Sequence, residues 1–358
     1  MTDRHDPSSE VIVERQGALG RIRLNRPKAL NSLTLPMVRR IAAALDAFEA
    51  DAAVAAVLIT GEGERGLCAG GDIRALAESV RHGDDHAATF WREEYRLNAR
   101  ISHFPKPYIA LMDGITMGGG VGLSAHGRHR IVTERSRVAM PETGIGFLPD
   151  VGGTWLLSRQ ANEVGTYLAL TGEAVGASDA IFAGLADIFM PYEDHPRLVS
   201  ALADLPAGAG GAAVGEVVAG FARSVAATPL QAHLATVAAA LGAGDVRAIL
   251  AALADDGSSF ATATRETITE KSPTSLVLTL RLLRLGRASA FLEICLEREF
   301  AAAVAMTRGP DFYEGVRAAV IDKDRNPHWS PASLDEVDSG AIEGFLAPAP
   351  EPVFGRGA

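Results

Sequence analysis

The sequence predicts an α/β core followed by a region built only of helices. Short apolar runs typical of strands alternate with helical patterns from residue 11 to about residue 200. The segment LPAGAGGAAVGE (205–216) is rich in glycine, alanine and proline and predicts a linker. Beyond it the spacing of apolar residues is helical, and no strand pattern returns. Such alternation of strand and helix is typical of parallel sheets joined by right-handed crossovers.

The core is predicted to open with a hairpin and a helix. Residues 11–25 contain two short strand patterns around a glycine-containing turn. Residues 35–50 carry apolar side chains at helical spacing, with Thr34 as a predicted N-cap and Pro36 in the first turn. The remaining core elements are a buried strand at 54–60, a helix opened by Asp72, a helix at about 86–103, a buried strand at 108–112, and short strands at 128–133 and 137–140.

These patterns divide the chain into four predicted parts. They are a disordered tail (1–10), an α/β core (11–204), a helical C-terminal region (205–345) and a loose tail (346–358). In the helical region we expect helices at about 217–225, 228–241, 259–270, 274–285 and 288–307.

Charge and composition narrow the classes of function. The formal net charge of −10 argues against nucleic acid or an anionic membrane as partner, because both need clustered Lys and Arg. No run approaches the roughly 18 apolar residues of a membrane span, and the polar opening MTDRHDPSSE predicts neither a signal peptide nor an anchor. Cys68 and Cys295 could form one disulfide, but the sequence has no disulfide framework, which favours a reducing cytoplasm. His126 and His129 have a ligand-like spacing without a matching third ligand, so we expect no metal.

A glycine-rich turn follows the predicted strand at 108–112. Gly118, Gly119 and Gly120 lie where the strand gives way to a helix. A helix N-terminus exposes unpaired N–H groups and a partial positive charge, which stabilise an oxyanion. One such donor is typically worth about 10²–10³ in rate. A tight turn without any ligand is the alternative, and the triplet alone favours that alternative.

Two other motifs are broken at this turn. A dinucleotide-binding G-x-G-x-x-G fails because position 123 is Leu. A serine-hydrolase G-x-S-x-G fails because His126 replaces the final glycine. Ser124 is therefore predicted to be a helix residue rather than a nucleophile.

A second glycine turn, CAGGD (68–72), also lies between a predicted strand and a helix. Asp72 is expected to cap that helix, and Cys68 is expected to be a small buried residue. Two such turns after successive strands can each offer one N–H to a shared oxygen, which is a more specific signal than either turn alone.

Carboxylates stand in apolar sequence downstream of these turns. Glu142 and Asp150 each follow a proline within MPETGIGFLPDVGG. Buried carboxyls have raised pKa values and can serve as acid, base or nucleophile. Two structural roles stay open: Asp150 as a cap for a helix near Val151, and Glu142 as the partner of an arginine. Glu93 and Glu94 are adjacent on a predicted helix, so we expect one to face solvent and the other to face inward.

Four blocks together resemble, in order and spacing, the enoyl-CoA hydratase/isomerase (crotonase) superfamily. The blocks are LNRPKALNSL (24–33), LCAGGDI (67–73), KPYIALMDGITMGGGVGLSAHG (106–127) and MPETGIGFLPDVGG (140–153). The resemblance covers about 15–190 and implies a spiral core of repeated ββα turns with a helical C-terminal region. It also implies an acyl-CoA substrate, no separate cofactor, and relatives that often form trimers or hexamers through the C-terminal helices.

The resemblance also implies residue roles. The N–H groups of Gly71 and Gly119 are expected to form an oxyanion hole, and Lys28, Ala29 and Ala69 are expected to contact CoA. Among the members of the superfamily, the chain is most similar to its acyl-CoA thioester hydrolases, over nearly all residues apart from the tails. The segments that carry this likeness are FWREEYRLN (90–98), MPETGIGFLPDVGG, DGSSFA (256–261), KSPTSL (271–276) and RGPDFYEGVRAAVIDKDRNPHW (308–329).

One departure favours hydrolysis over hydration. Hydratases of this superfamily carry two catalytic glutamates, and one of them lies three residues after the middle glycine, where this chain has Gly122. The other corresponds to Glu142. In the hydrolases, the positions of Glu94, Gly119, Glu142 and Asp150 bind or act on substrate. A hydratase or isomerase, and a non-catalytic acyl-CoA binder, remain as alternatives.

Overall fold

A computed structural model describes residues 9–225 and 228–354. In chain order the strands of this part are β1 (Val11–Gln16), β2 (Leu19–Leu24), β3 (Ala56–Gly61), β4 (Tyr108–Met112), β5 (Ile115–Met117), β6 (His129–Val132), β7 (Arg137–Ala139) and β8 (Ile188–Phe189). The helices are α1 (Leu35–Ala50), α2 (Ile73–His82), α3 (His86–Ser102), α4 (Gly119–Ser124), α5 (Gly153–Ser158), α6 (Val164–Thr171), α7 (Ala177–Phe182), α8 (His195–Ala203), α9 (Gly211–Gly220), α10 (Leu234–Leu241), α11 (Val246–Asp256), α12 (Ser259–Thr269), α13 (Pro273–Arg287), α14 (Leu292–Met306), α15 (Pro310–Val316) and α16 (Ser339–Phe345). None of the helices described here is both long and apolar enough to cross a membrane.

The main sheet has six strands in the order β1-β2-β3-β4-β6-β8. Strands β1 and β2 are antiparallel, as the predicted hairpin requires. All other neighbours are parallel, with Leu58 opposite Ile109 and Ile109 opposite His129. Strands β5 and β7 form a separate two-stranded sheet. The sequence-based prediction of an α/β core with parallel crossovers is therefore confirmed.

Helix α1 begins where its local sequence predicts. Thr34 Oγ1 accepts a hydrogen bond from Met37 N at 3.4 Å, and Pro36 lies in the first turn. The buried face carries Met37, Ile41 and Phe48. Burying each such side chain stabilises the fold by about 1.5–3 kcal/mol, so this face fixes α1 against β1 and β2.

The described chain forms two compact units, each assembled from several segments. The first contains the residues up to 71, 96–138 and 175–228, and the second contains 72–95, 139–174 and the residues from 229 onward. The sequence suggested a single division near 204, and the ranges 11–204 and 205–345 stay a prediction. The second unit takes up earlier segments because their helices bury apolar faces against C-terminal helices: α2 packs on α15, and α5 packs on α13 and α14.

The first unit has one apolar layer beneath its sheet. The layer joins Leu58 of β3 and Ile109 of β4 to Leu198 and Leu202 of α8. Helix α9 adds Val214 and Val218 to the same layer. The predicted linker at 205–216 is therefore wrong from Gly211 onward, and the helix predicted at 217–225 instead begins at Gly211 and ends at Gly220. Two valines four residues apart put one apolar face on the sheet, and that tertiary contact outweighs the weak helix propensity of glycine.

The second unit contains most of the predicted C-terminal helices. Helices α10, α12 and α14 lie within the ranges that the apolar spacing indicated, and α13 extends slightly beyond its predicted range at both ends. Helix α11 was missed, because its alanine-rich stretch gives little contrast between faces. Its start is nevertheless marked in the sequence, since Asp245 accepts a hydrogen bond from Ala248 N at 2.9 Å as an N-cap.

The predicted N-terminal tail is shorter than expected. Glu10 accepts a hydrogen bond from Thr34 Oγ1 at 2.9 Å and pairs with Arg26 at 2.9 Å. Its carbonyl accepts from Asn25 N at 2.7 Å. Residue 10 therefore belongs to the first hairpin, while residues 1–8 lie outside the described part.

The predicted C-terminal tail is also held in place up to residue 354. Val353 is fully buried. Glu297 of α14 accepts hydrogen bonds from Val353 N at 3.1 Å and Phe354 N at 2.7 Å. The prediction of a loose segment over 346–358 is therefore wrong for these residues, because a buried apolar side chain and a capping carboxylate hold them. Residues 355–358 lie outside the described part.

Candidate active site

The first glycine-rich turn joins β5 to α4. Gly118 precedes the helix with φ +50° and ψ −119°, a conformation that favours glycine. The N–H groups of Val121 and Gly122 donate to Gly118 O at 2.8 and 3.1 Å. The N–H of Gly119 comes before these bonds and donates to no backbone carbonyl of the described residues. The turn thus leaves a main-chain donor available at the start of α4.

The second glycine turn runs along β5. Cys68 N donates to Ile115 O at 3.1 Å, and Met117 N donates to Cys68 O at 2.9 Å. Cys68 is buried and is not part of a disulfide, as predicted for a small packing residue. Gly70 then turns the chain with φ +106°. Within the described chain, the N–H of Gly71 also donates to no backbone carbonyl.

The two turns pack directly on each other. A Cβ at Gly120 would lie 2.3 Å from Cys68 O, so only glycine allows α4 to come this close. A Cβ at Gly70 would lie 3.6 Å from Gly119 N. The predicted donors, Gly71 and Gly119, therefore belong to adjacent turns in the same unit. Two such main-chain N–H groups are suited to hold one negatively charged oxygen.

The residues predicted to contact CoA lie in this unit as well. Lys28 and Ala29 are exposed on a short 3-10 turn. Ala69 N donates to Leu30 O at 3.0 Å, which ties that turn to the segment before Gly70. Arg65 donates to Lys28 O at 2.9 Å, so a second cation lies beside the lysine. Two exposed cations are suited to phosphate groups, and the CoA contacts stay a prediction.

The second unit brings together three buried carboxyl groups. Glu94 lies on α3, Glu142 begins a 3-10 turn after β7, and Asp150 precedes α5; they are 2%, 6% and 6% exposed. Tyr95 OH donates to Asp150 Oδ2 at 2.7 Å. The inward-facing member of the adjacent pair is therefore Glu94, while Glu93 is half-buried.

Neither structural alternative for Glu142 and Asp150 is observed. Helix α5 begins at Gly153 with Gly152 as its N-cap and no capping side chain, so Asp150 does not cap it. Among the described residues, Glu142 Oε2 is buried without a hydrogen-bond partner, and so is Glu94 Oε1. Leaving a buried polar atom unpaired costs free energy, which a bound polar ligand recovers.

The surroundings raise the pKa of all three carboxyls. Burial raises the pKa of Asp150 to about 7, and the hydrogen bond from Tyr95 opposes that rise by stabilising the anion. Burial, followed by the charge of Asp150, raises the pKa of Glu94 and of Glu142 well above the usual range. The charge of Asp150 therefore favours protonation of its two neighbours. Asp150 can therefore gain or lose a proton near neutral pH.

An aromatic cluster holds the backbone around Glu142. Phe147 N donates to Glu142 O at 3.0 Å. The Phe147 ring stacks on Trp91 with centroids 5.3 Å apart, and Phe312 contacts both rings at 5.4 and 6.3 Å. Trp91 lies one helical turn before Glu94 on α3. The same buried rings therefore stabilise the elements that carry both carboxylates.

Two residues of this group were missed from the sequence. Tyr95 gave no signal of its own, because a tyrosine inside a helix is usually read as a packing residue. A fourth carboxyl, Glu299, lies fully buried on α14 with its pKa raised by burial to about 7. A signal for it existed: Glu299 lies on the same helical stripe as Leu292, Cys295 and Met306, which are all buried.

Comparisons with known proteins extend these observations. A profile of the family described as Enoyl-CoA hydratase/isomerase matches residues 19–346. The mitochondrial 3-hydroxyisobutyryl-CoA hydrolase of Gallus gallus is 41% identical over 352 residues, covering 96% of this chain and 90% of that protein. The protein of the same name from Rattus norvegicus is 43% identical over 347 residues, with coverage of 96% and 90%.

Two solved structures of proteins with other names are similar over nearly the whole chain. A carnitinyl-CoA dehydratase from Mycobacterium thermoresistibile has a TM-score of 0.92 at 41% identity, covering 98% of this chain and 100% of that one. An enoyl-CoA hydratase from Rhodobacter sphaeroides has a TM-score of 0.88 at 41% identity, with coverage of 97% and 100%. These similarities confirm the predicted fold class.

One prediction from the sequence is overturned by these relatives. The curated hydrolases are named as mitochondrial enzymes, so the predicted cytoplasmic location is wrong. The prediction relied on the small number of cysteines. That number indicates only that the fold needs no disulfide framework, and it does not distinguish one compartment from another.

Proposed function

The chain belongs to the enoyl-CoA hydratase/isomerase (crotonase) family, and from that membership we propose that it hydrolyses 3-hydroxyisobutyryl-CoA to 3-hydroxyisobutyrate and free CoA. Relatives named for this activity are 41% and 43% identical to it over nearly its whole length. We assign the reaction to valine degradation. The acyl-CoA is the partner, its CoA moiety is part of the substrate, and the proposal includes no separate cofactor.

The choice of reaction rests on the residues at positions 122 and 142. The family resemblance implies that hydratases of this superfamily use a glutamate at each of the two positions. Here the first is Gly122, a buried residue of α4 that has no side chain with which to activate water. Glu142 is retained and lies in the cluster of three buried carboxyls. Hydrolysis of a thioester needs one nucleophile or base, which Glu142 supplies. Addition of water to a double bond uses two acid–base groups, and this chain lacks the one at position 122.

We assign the carbonyl oxygen of the thioester to the N–H groups of Gly71 and Gly119. Attack on the carbonyl carbon makes that oxygen negative, and both hydrogen bonds then strengthen. The pair therefore stabilises the transition state more than the substrate. The absence of a backbone acceptor for either donor within the described residues supports this assignment.

We assign the attacking step to Glu142, by one of two routes. Its carboxylate either attacks the carbonyl carbon, forming a mixed anhydride as the C–S bond breaks, or removes a proton from the attacking water. In the first route water then cleaves the anhydride and restores the carboxylate. CoA leaves as a thiolate that takes up a proton. Burial, which raises the pKa of Glu142, also makes its anion a stronger base.

The other two carboxyls have supporting roles in this proposal. Asp150, fixed by Tyr95, orients Glu142 or transfers a proton, since its pKa of about 7 lets it change protonation state at neutral pH. Glu94 accepts a hydrogen bond from the β-hydroxyl of the acyl group. The unpaired Glu94 Oε1 supports this role.

A thiol-release assay tests the proposed reaction. With 3-hydroxyisobutyryl-CoA we expect one free thiol for each acid molecule formed, because cleavage of the C–S bond releases CoA. With crotonyl-CoA we expect no rapid loss of the double bond, because position 122 has no carboxylate. Rapid hydration of crotonyl-CoA without free thiol would contradict the proposal. Binding of either ester without turnover would indicate a non-catalytic binder.

A hydratase or isomerase acting on another acyl-CoA is the second candidate. Two solved relatives favour it, since they are named as a carnitinyl-CoA dehydratase and an enoyl-CoA hydratase and are each 41% identical to this chain. We rank this reaction below hydrolysis because Gly122 has no carboxylate with which to activate water. Within the hydrolase proposal the acyl range is broader than one compound, because 3-hydroxypropionyl-CoA lacks one methyl group and such a group is worth only about 1–3 kcal/mol of discrimination.

A further inference from the structure

A buried glutamate on α14 binds the turn that follows Asp150. Glu299 is fully buried. It lies far from Asp150 in the sequence. Its Oε2 accepts a hydrogen bond from Gly152 N at 2.7 Å. Its Oε1 accepts from Thr154 N at 2.9 Å and from Thr154 Oγ1 at 2.5 Å. One carboxylate therefore takes three hydrogen bonds from donors within four residues of Asp150.

The turn that Glu299 binds has an unfavourable backbone. Val151 and Gly152 follow Asp150 with φ +51° and +81°, both in the left-handed region. A β-branched residue such as Val151 rarely adopts this region, and it persists only where surrounding contacts hold it. Gly153 N donates to Asp150 O at 2.6 Å, which closes the turn from within. The hydrogen bonds of Glu299 hold it from outside.

The hydrogen-bond donors around Glu299 favour a carboxylate over an amide at this position. Both of its oxygens receive N–H groups, and an ionised carboxylate can accept on both sides. A glutamine of the same size would place its NH₂ group against one of these N–H donors, and that hydrogen bond would be lost. A group needed only to fill space would not require two acceptor oxygens in a fully buried position.

The charge of Glu299 also acts on its titratable neighbours. Burial is the largest cause that raises the pKa of Glu142, of Tyr95 on α3 and of Cys295 on α14, and the charge of Glu299 adds to each rise. Burial likewise raises the pKa of Glu299, and the charge of Asp150 adds to that rise. Removal of this charge should therefore lower the pKa of Glu142.

We infer that Glu299 is a positioning residue for the hydrolysis: by holding the turn after Asp150, it fixes the direction of the Asp150 side chain. This inference rests on the proposed function and adds to it a residue that touches neither substrate nor CoA. Small errors in the position of a catalytic group reduce turnover strongly, so the rate is where its loss should appear.

Glu299→Gln tests the inference, with Glu297→Gln as its matched control. Both residues lie on α14, and each accepts two backbone N–H groups, but those on Glu297 come from Val353 and Phe354. For Glu299→Gln we expect kcat for thiol release to fall about 10–100-fold with little change in KM. The acid limb of the pH–rate profile should move to lower pH, because a negative charge beside Glu142 is gone. For Glu297→Gln we expect kcat and the pH profile of the wild type.

Several outcomes would overturn the inference. If both variants lower the unfolding temperature equally while kcat and the pH profile stay at wild-type values, Glu299 is only structural. If Glu299→Gln does not fold, Thr154→Val decides, because it removes one donor to Glu299 and leaves the charge. We expect it to lower kcat about threefold to tenfold without moving the pH profile, and an unchanged kcat would refute the inference. A wild-type protein that releases no thiol refutes the proposed function, and this inference with it.

Discussion

Replacement of Glu142 by glutamine is expected to lower the turnover of 3-hydroxyisobutyryl-CoA by about 10³-fold. An amide neither forms the anhydride nor takes a proton from water, so both routes through Glu142 are lost. The affinity for the CoA ester should change by less than about threefold, because glutamine has the same size and the lost group acts in the transition state. Thiol release gives the rate, and calorimetric titration with the ester gives the affinity.

The fold should survive this change. Glu142 Oε2 has no hydrogen-bond partner among the described residues, so the substitution breaks no bond at that atom. Glu173→Gln is the control: it makes the same substitution at an exposed glutamate in the same unit, and we expect wild-type kinetics. Turnover of the Glu142 variant within a few-fold of wild type would contradict the assigned role.

Replacement of Gly119 by proline is expected to lower kcat/KM by about 10²–10³-fold. Proline has no N–H, so one of the two proposed donors to the thioester oxygen disappears. Gly119 is the first residue of α4, where proline fits the helical backbone and removes no intrahelical bond. The bonds from Val121 and Gly122 to Gly118 O that close the turn are unaffected. Steady-state thiol release measures the loss.

Ser124→Ala is the matched control for the proline variant. Its hydroxyl donates to Gly120 O within the same short helix, so the change perturbs α4 without removing a main-chain donor. We expect kcat/KM within about threefold of wild type, which would also confirm that Ser124 is not a nucleophile. Equal losses in the two variants would mean that damage to α4, rather than loss of the Gly119 donor, lowers the rate.

Local sequence was sufficient to predict the two glycine turns. Their geometry depends on backbone freedom at Gly70 and Gly118, and this property is visible in the residue type. The strands on either side are short apolar runs, and such runs indicate buried parallel strands without knowledge of their partners. The two turns, and the idea that each offers one N–H to a shared oxygen, could therefore be predicted before the fold was known, although the choice of Gly71 and Gly119 as the donors came from the family resemblance.

The cluster of buried carboxyl residues was only partly predictable from the sequence. Glu142 and Asp150 stood out because each lies in apolar sequence, but Tyr95 and Glu299 act through contacts between distant segments. Glu299 binds residues about 145 positions earlier in the chain, and no local pattern encodes such a pairing. The same limit explains why Val353 was assigned to a loose tail, since its burial depends on α14.

Turnover of 3-hydroxyisobutyryl-CoA in water enriched in ¹⁸O tests the central claim most directly, namely that water is added at the thioester carbonyl. After many turnovers we expect mass spectrometry to find the label in the carboxylate of the released acid, by either route through Glu142, and to find the 3-hydroxyl unlabelled. Label at the 3-hydroxyl of recovered CoA ester, without free thiol, would reveal reversible dehydration and hydration and would contradict this account.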